Sequence, residues 1–165
     1  MQPALQTRLV ECSTSEEALE GADLVTLATK SPRPVLGIRQ LRPGVHVNSV
    51  GSARPNLSEI EPTAFRAFDR VECDSVDLVF TESGDAIAAV AAGLIDPAEA
   101  VDLSSALTSG FGREPSDVTL FKSTGTGLQD LALATAVLEM AEADDAGTKV
   151  DPFLAIKRFG PTGRT

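Results

Sequence analysis

Tyrosine and tryptophan are absent from the 165 residues, and cysteine and histidine are scarce, at two and one. A core must therefore be built from seven Phe and the many Leu, Val and Ala. Cys12 and Cys73 are too few and too far apart for a disulfide scaffold or a thiolate zinc cluster. Neither has a basic neighbour of the kind that activates a nucleophilic thiol. His46 is the lone histidine, with no carboxylate or cysteine at a ligand spacing beside it, so no metal site is expected. Basic residues are outnumbered: 14 Lys and Arg face 24 Asp and Glu, for a net charge of −10 and a pI near 4.5. That balance repels nucleic-acid backbones and anionic membrane surfaces, so neither is expected as a partner. The longest near-continuous apolar run, Ala86 to Ile95, is about half of the ~20 residues needed to cross a bilayer. The opening MQPALQTRLV lacks the basic and apolar regions of a secretory signal. These absences predict a reduced, cytoplasmic protein.

What is present is a globular composition, 42 % hydrophobic, enough to bury a core. The length suits one domain, read here as residues 1–148, with 149–165 a Pro/Gly-punctuated tail. Arg8–Cys12 reads as a short strand. Ser13-Thr-Ser-Glu16 has the spacing of a capping box opening a helix over Ser15–Glu20, with Gly21 placed to end it. Asp23–Thr29 is nearly unbroken apolar sequence, the pattern of a strand buried on both faces. Further strands are expected at Val45–Val50, Val71–Cys73 and Val118–Lys122. Helices are expected at Pro62–Phe68, Asp74–Ser83, Ala86–Ala92, Ala98–Thr108 and Thr126–Ala143. Asp96-Pro97 supplies a cap and a first-position proline for the fourth of these. Strands alternating with helices predict an α/β fold: a Rossmann-like parallel sheet flanked by helices, and an incomplete one.

The stretch HVNSVGSARP, residues 46–55, is a strand running into a glycine turn, where an open α/β sheet holds ligands. No glycine-rich phosphate loop precedes it. Four segments line up in order: ADLVTLAT (22–29), PGVHVNSVGSARPNLSEI (43–60), ESGD (82–85) and DVTLFKSTGTGLQDLALA (117–134). Together they resemble the ornithine cyclodeaminase/μ-crystallin family of NAD(P)-dependent proteins, over roughly residues 8–143.

The resemblance implies NAD or NADP as cofactor and a small amino or imino acid as substrate. Cofactor contacts would fall to Thr29, Val47, Asn48, Ser49, Val50 and Ser123, with Thr124 at the substrate. Asn48 offers both donor and acceptor, suited to a ribose hydroxyl or a carboxamide. Gly51 would permit a positive φ or the close approach of a ligand. Ala53 stands where cyclodeaminases place an acid–base aspartate. A methyl group transfers no proton, so no residue of this chain is assigned a catalytic role. GSARPNL is closer to the μ-crystallin type, and Leu57 replaces a lysine that some members use.

The chain corresponds only to the later part of such proteins, without their N-terminal domain, phosphate loop or substrate-binding arginine and lysine. It is expected to be a C-terminal cofactor-domain portion of an oxidoreductase. The competing readings are a truncated remnant or interaction module without catalysis, and a stand-alone small-molecule binder. With the first strands of the sheet missing, the strand at Leu24–Thr29 gains an open edge. That edge predicts self-association or a complementary N-terminal half.

Overall fold

The computed structural model describes residues 7–110 and 112–148. The chain divides into two compact units, Met1–Thr126 and Gly127–Thr165. The first holds helix α1 (Ser15–Leu19), strands β1 (Leu24–Leu27), β2 (His46–Ser49) and β3 (Arg70–Cys73), helices α2 (Val76–Glu82) and α3 (Gly84–Ala91), strand β4 (Val101–Asp102), helix α4 (Leu103–Ser109) and strand β5 (Thr119–Lys122). The second holds α5 (Gly127–Ala143), whose apolar residues are spread around the whole helix rather than along one stripe. The expected tail at 149–165 lies outside the described residues.

The five strands form one sheet in the order β1-β2-β5-β3-β4, and every pair is parallel. Parallel neighbours need crossovers, which is why turns and helices separate each strand from the next. Val25, Leu27, Val47, Val71, Cys73 and Leu120 fill the sheet side of the core. Leu36, Ile60, Phe65, Phe68, Val79, Ala86 and Ala89 pack over them. Phe65 and Phe68 meet edge to face, with ring centroids 6.1 Å apart, taking the place that Trp or Tyr often fills.

Three sequence expectations fail for tertiary reasons. Residues 8–12 form no strand, and β1 is left as the outer strand of the sheet. β1 itself is buried on one face only: Val25 and Leu27 are 7 % exposed, but Leu24 is 62 % exposed. The helix expected over Ala98–Thr108 breaks, because Val101 and Asp102 pair with Glu72 and Cys73 at the far edge of the sheet. Asp96 still caps as expected, its side chain accepting from the Ala98 N–H, but onto a single 3₁₀ turn, Pro97–Glu99. Pro62–Ala67 is likewise 3₁₀. The cap of α1 sits one residue late. The Thr14 hydroxyl accepts from the Glu17 N–H, and the Ser13 N–H donates to the Glu17 carboxylate.

Gly21 ends α1 at φ +72°, the left-handed conformation expected of it. The helix favoured over Asp74–Ser83 is present as Val76–Glu82, capped by the Ser75 hydroxyl.

Candidate functional site

The parallel register brings Leu27, Ser49 and Lys122 level with one another, at the carboxyl ends of β1, β2 and β5. Below the loops that follow lie three fully buried ionisable side chains: Glu59, Asp85 and Lys122, each 0 % exposed. Charges at such depth persist only when paired or hydrogen-bonded: Lys122 and Asp85 form an ion pair, and Glu59 is held by four hydrogen bonds.

The Glu59 carboxylate ties two loops together. Its Oε1 accepts from the Thr29 N–H at 2.6 Å and the Thr29 hydroxyl at 2.8 Å. Its Oε2 accepts from the Ser49 hydroxyl and the Gly51 N–H, both at 2.8 Å. Asp85, in the first turn of α3, accepts from the Ser83 hydroxyl at 2.6 Å, the Ser52 hydroxyl at 2.8 Å and the N–H groups of Ala86, Glu59 and Ile60.

Lys122 stands between the two acids. Its Nζ donates to Ser49 Oγ at 2.7 Å and Ser52 Oγ at 2.5 Å, and lies 3.4 Å from Asp85 Oδ1. Each serine thus accepts from the ammonium and passes its own proton toward a carboxylate. Burial pushes the Lys122 ammonium below its ordinary pKa, while Asp85 and Glu59 pull it back.

A second carboxylate fixes the loop after β5. Asp74 Oδ2 accepts from the Ser123 hydroxyl and the Gly125 N–H, both at 2.7 Å. Gly125 turns there at φ +81°.

These bonds determine what the sequence-predicted residues offer. Thr29, Ser49 and Ser123 do converge on one end of the sheet, but each hydroxyl proton is given to a protein carboxylate. Val47 is 0 % exposed and belongs to the core. The Asn48 side-chain oxygen faces His46 Nε2 at 3.2 Å, and His46 Nδ1 contacts the Thr119 hydroxyl at 2.7 Å. Val50, 43 % exposed, faces outward. Thr124 Oγ1 is buried without a hydrogen-bond partner.

Gly51 needs its missing side chain for close approach rather than for a positive φ. A Cβ there would overlap the Thr29 carbonyl oxygen and Glu59 Oε1, so the group that approaches is the protein's own neighbouring loop. Sequence reasoning did not single out Glu59 or Asp85, and read Lys122 only as a strand end. The available signal was a charged residue set in each of three otherwise apolar or turn segments: SEI, SGDAIAAV and TLFK.

Above the network a cleft of about 420 Å³ opens between the loops after β1 and β2. Ala28, Val50, Ala53 and Leu57 give it apolar walls, and Lys30, Arg54 and Asn56 supply polar groups.

A parallel sheet whose carboxyl-end loops are clamped around one cleft defines a Rossmann-like α/β domain. The chain belongs to the ornithine cyclodeaminase/mu-crystallin family, whose family model matches residues 2–145. It is 30 % identical over 142 residues to a Δ1-pyrroline-2-carboxylate reductase of Bacillus cereus, covering 84 % of this chain and 43 % of that protein. It is also 30 % identical over 131 residues to the mouse ketimine reductase mu-crystallin, covering 78 % and 39 %. Among solved structures it is similar to the Thermococcus litoralis Δ1-pyrroline-2-carboxylate reductase in complex with NADH and L-proline. That match has a TM-score of 0.78 and 32 % identity, over 84 % of this chain and 44 % of the other. The iminosuccinate reductase of Paracoccus denitrificans in complex with NAD+ matches with a TM-score of 0.76 and 29 % identity, over 86 % and 44 %. The chain thus spans less than half the length of these relatives. Among the described residues, no helix is long and apolar enough to cross a membrane.

Proposed function

We propose that this chain is the cofactor-domain portion of an NAD(P)-dependent oxidoreductase acting on a small amino or imino acid. The observation that carries the reading is the clamped carboxyl edge, Thr29 to Glu59 to Ser49–Gly51 and Lys122–Gly125 to Asp74, in a fold similar to NADH- and NAD+-bound reductases. The residues present suit such a cofactor. Thr124 Oγ1 is a buried hydroxyl still in want of a partner, and Val50 and Gly51 line an apolar wall suited to a flat ring. When bound, the nicotinamide supplies the hydride chemistry. The chain's own part is to hold the loops, exclude water and present backbone groups. Ala53 supplies no proton, so no acid–base role is assigned at that position.

The open edge of β1 supports a partner as part of the same reading. His46 N–H donates to the Asp23 carbonyl and Val50 N–H to the Leu27 carbonyl. By the alternation of a strand, the backbone groups of Leu24 and Thr26 therefore point away from β2. An apolar groove lined by Ala18, Leu19, Ala22, Leu24 and Val35 runs beside them. An edge of this kind takes another strand, from a complementary N-terminal half or a second copy.

A second reading, an interaction module without catalysis, draws support from the internal use of the Thr29, Ser49 and Ser123 hydroxyls. Titration with NADH and NADPH separates the two. The chain has no tryptophan, so the dinucleotide's own fluorescence reports directly. A saturable change is expected from the first reading, and a strictly linear response overturns it for this chain.

A further inference from the structure

Helix α5 exposes apolar side chains all round. Leu128 is 76 % exposed and Val137 56 %, and Leu131, Leu133, Leu138 and Met140 lie between those values. A helix apolar on every side belongs inside a larger protein body or in a membrane, and α5 is not long and apolar enough to cross one. An isolated helix of 17 residues is also marginal in water. Its apolar surface therefore calls for a protein cover.

Two apolar rows run along it. Leu133, Val137 and Met140 follow one another at spacings of four and three, and so share a face. Asp130 lies three residues before that row and Asp144 four after it, which puts an acid at each end. Leu128, Leu131 and Leu138 make a second row on the opposite face, interrupted by Thr135. From Gly127 to Asp145 there are five acids and no Lys or Arg. None of the five joins the ion pairs of the described residues. Two copies of α5 laid together would bring like charges face to face with no cation between them, which opposes pairing. The fitting cover is apolar and basic.

The chain carries such a segment next to the helix. Residues 149–165 lie outside the described residues, and their sequence is KVDPFLAIKRFGPTGRT. It sets Phe153, Leu154, Ile156 and Phe159 beside Lys157 and Arg158, and holds one acid, Asp151, among four cations. It also lies beyond residue 145, where the match to the family model ends. The helix closes just before it: the Ala146 N–H donates to the Ala141 carbonyl at 2.8 Å, and Asp145 and Gly147 take φ of +49° and +95°. We infer that residues 153–159 dock on the Leu133–Val137–Met140 row of the same chain, with Lys157 and Arg158 paired to its flanking acids. Reach allows it. The stretch from Lys149 to Phe159 spans up to ~36 Å when extended, and α5 is about 25 Å long. A tether this short gives the segment an effective concentration on the order of millimolar, which favours it over a second copy in dilute solution. Methionine's flexible thioether suits contact with the phenylalanine rings. The inference stands apart from the proposed function and does not rest on it.

The chain has two methionines, Met1 and Met140, so a spectrum of methyl-labelled methionine reads the row directly in the full chain. The Met140 methyl should show a ring-current shift and nuclear Overhauser contacts to phenylalanine rings, both lost in F153L/F159L. In K157Q/R158Q the methyl should move part of the way to its free position, since exposed ion pairs add only modestly to docking. Amide exchange of residues 133–140 is the second measurement. It should quicken by about tenfold in F153S/I156S/F159S, the scale of uncovering one apolar side chain. Unchanged resonances for residues 24–122 verify that the sheet stays folded in each variant. A Met140 methyl at its free-peptide position, ring contacts that survive F153L/F159L, or exchange unaltered in the triple variant overturns the docking. Contacts that fade on dilution, or that cross between labelled and unlabelled chains in a mixture, assign the row to a second copy and overturn it as well.

Discussion

Replacing Lys122 with methionine removes one charge from the buried network and leaves its shape nearly unchanged. The ammonium is fully buried, donates to Ser49 and Ser52, and pairs with Asp85. Methionine fills the volume of the stem but offers no donor. Ser49 and Ser52 each lose a charge-assisted bond, and Glu59 and Asp85 become two buried acids with no balancing cation. Breaking a buried pair from one side costs about 3–5 kcal/mol, a large share of the roughly 5–15 kcal/mol that holds a domain folded. At a typical urea dependence of ~2 kcal/mol per molar, the unfolding midpoint should fall by roughly 1.5–2.5 M with an unchanged slope.

The double variant K122M/D85N tests the cause. It removes one of the stranded acids, so its cost should be smaller than the sum of the two single costs by about 1–3 kcal/mol. Urea melts followed by far-ultraviolet circular dichroism suffice, since the chain has no tryptophan to report. A K122M midpoint within error of the parent, or strictly additive costs, would refute the claim that the lysine balances these acids.

Four further outcomes follow from particular contacts. Gly51→Ala would overlap the Thr29 backbone and Glu59, so it should cost about 3 kcal/mol or more, measured by the same melts. Thr26→Pro deletes an N–H that points away from β2, which edge strands tolerate; sedimentation velocity should show weaker association with the fold intact, and an unchanged distribution counts against docking at β1. Burial, with Asp74 and Asp102 nearby, pushes the Cys73 thiol up to about 12. Under native conditions at mildly alkaline pH, mass spectrometry should therefore find Cys12 alkylated and Cys73 protected until urea is added. Burial also raises the Glu72 carboxyl above its ordinary pKa, with His46 and Arg70 partly offsetting it. A raised carboxyl contributes stability fully below about 4.5 and loses it as pH climbs through the folded value, so Glu72→Gln should stabilise at neutral pH and be neutral near pH 4.

Most of the strands and the direction of the sheet were legible in the sequence, because period and punctuation act locally. Ala98–Thr108 shows where that legibility ends. Its residues suit a helix, but Val101 and Asp102 gain more by joining the edge of β3 than by continuing one. Arg8–Cys12 has the composition of a strand but does not become one, since composition cannot supply a neighbour. At the candidate site the strand ends were legible in the sequence, and the bonding of their side chains was not. Thr29, Ser49 and Ser123 were placed correctly at the carboxyl edge. Their hydroxyls point to Glu59 and Asp74, which lie 30, 10 and 49 residues away, a pairing no local pattern encodes.

That inward use of the hydroxyls changes how recognition at this edge must work. A serine that already gives its proton to a carboxylate and accepts from an ammonium has little left for a ligand. Ser49 is in that position, held by Glu59 at 2.8 Å and Lys122 at 2.7 Å. Its truncation should therefore register in stability before it registers in affinity, because the groups it satisfies are buried and charged. What remains for a ligand is the apolar wall of Ala28, Val50 and Leu57, the cations Lys30 and Arg54, and the unpartnered Thr124 hydroxyl. The first reads shape, the second reads charge, and the Thr124 hydroxyl is placed to read a hydrogen bond. The edge is thus rigid first and selective second: its polar side chains are committed to holding loops in register, and discrimination is left to the cleft they frame.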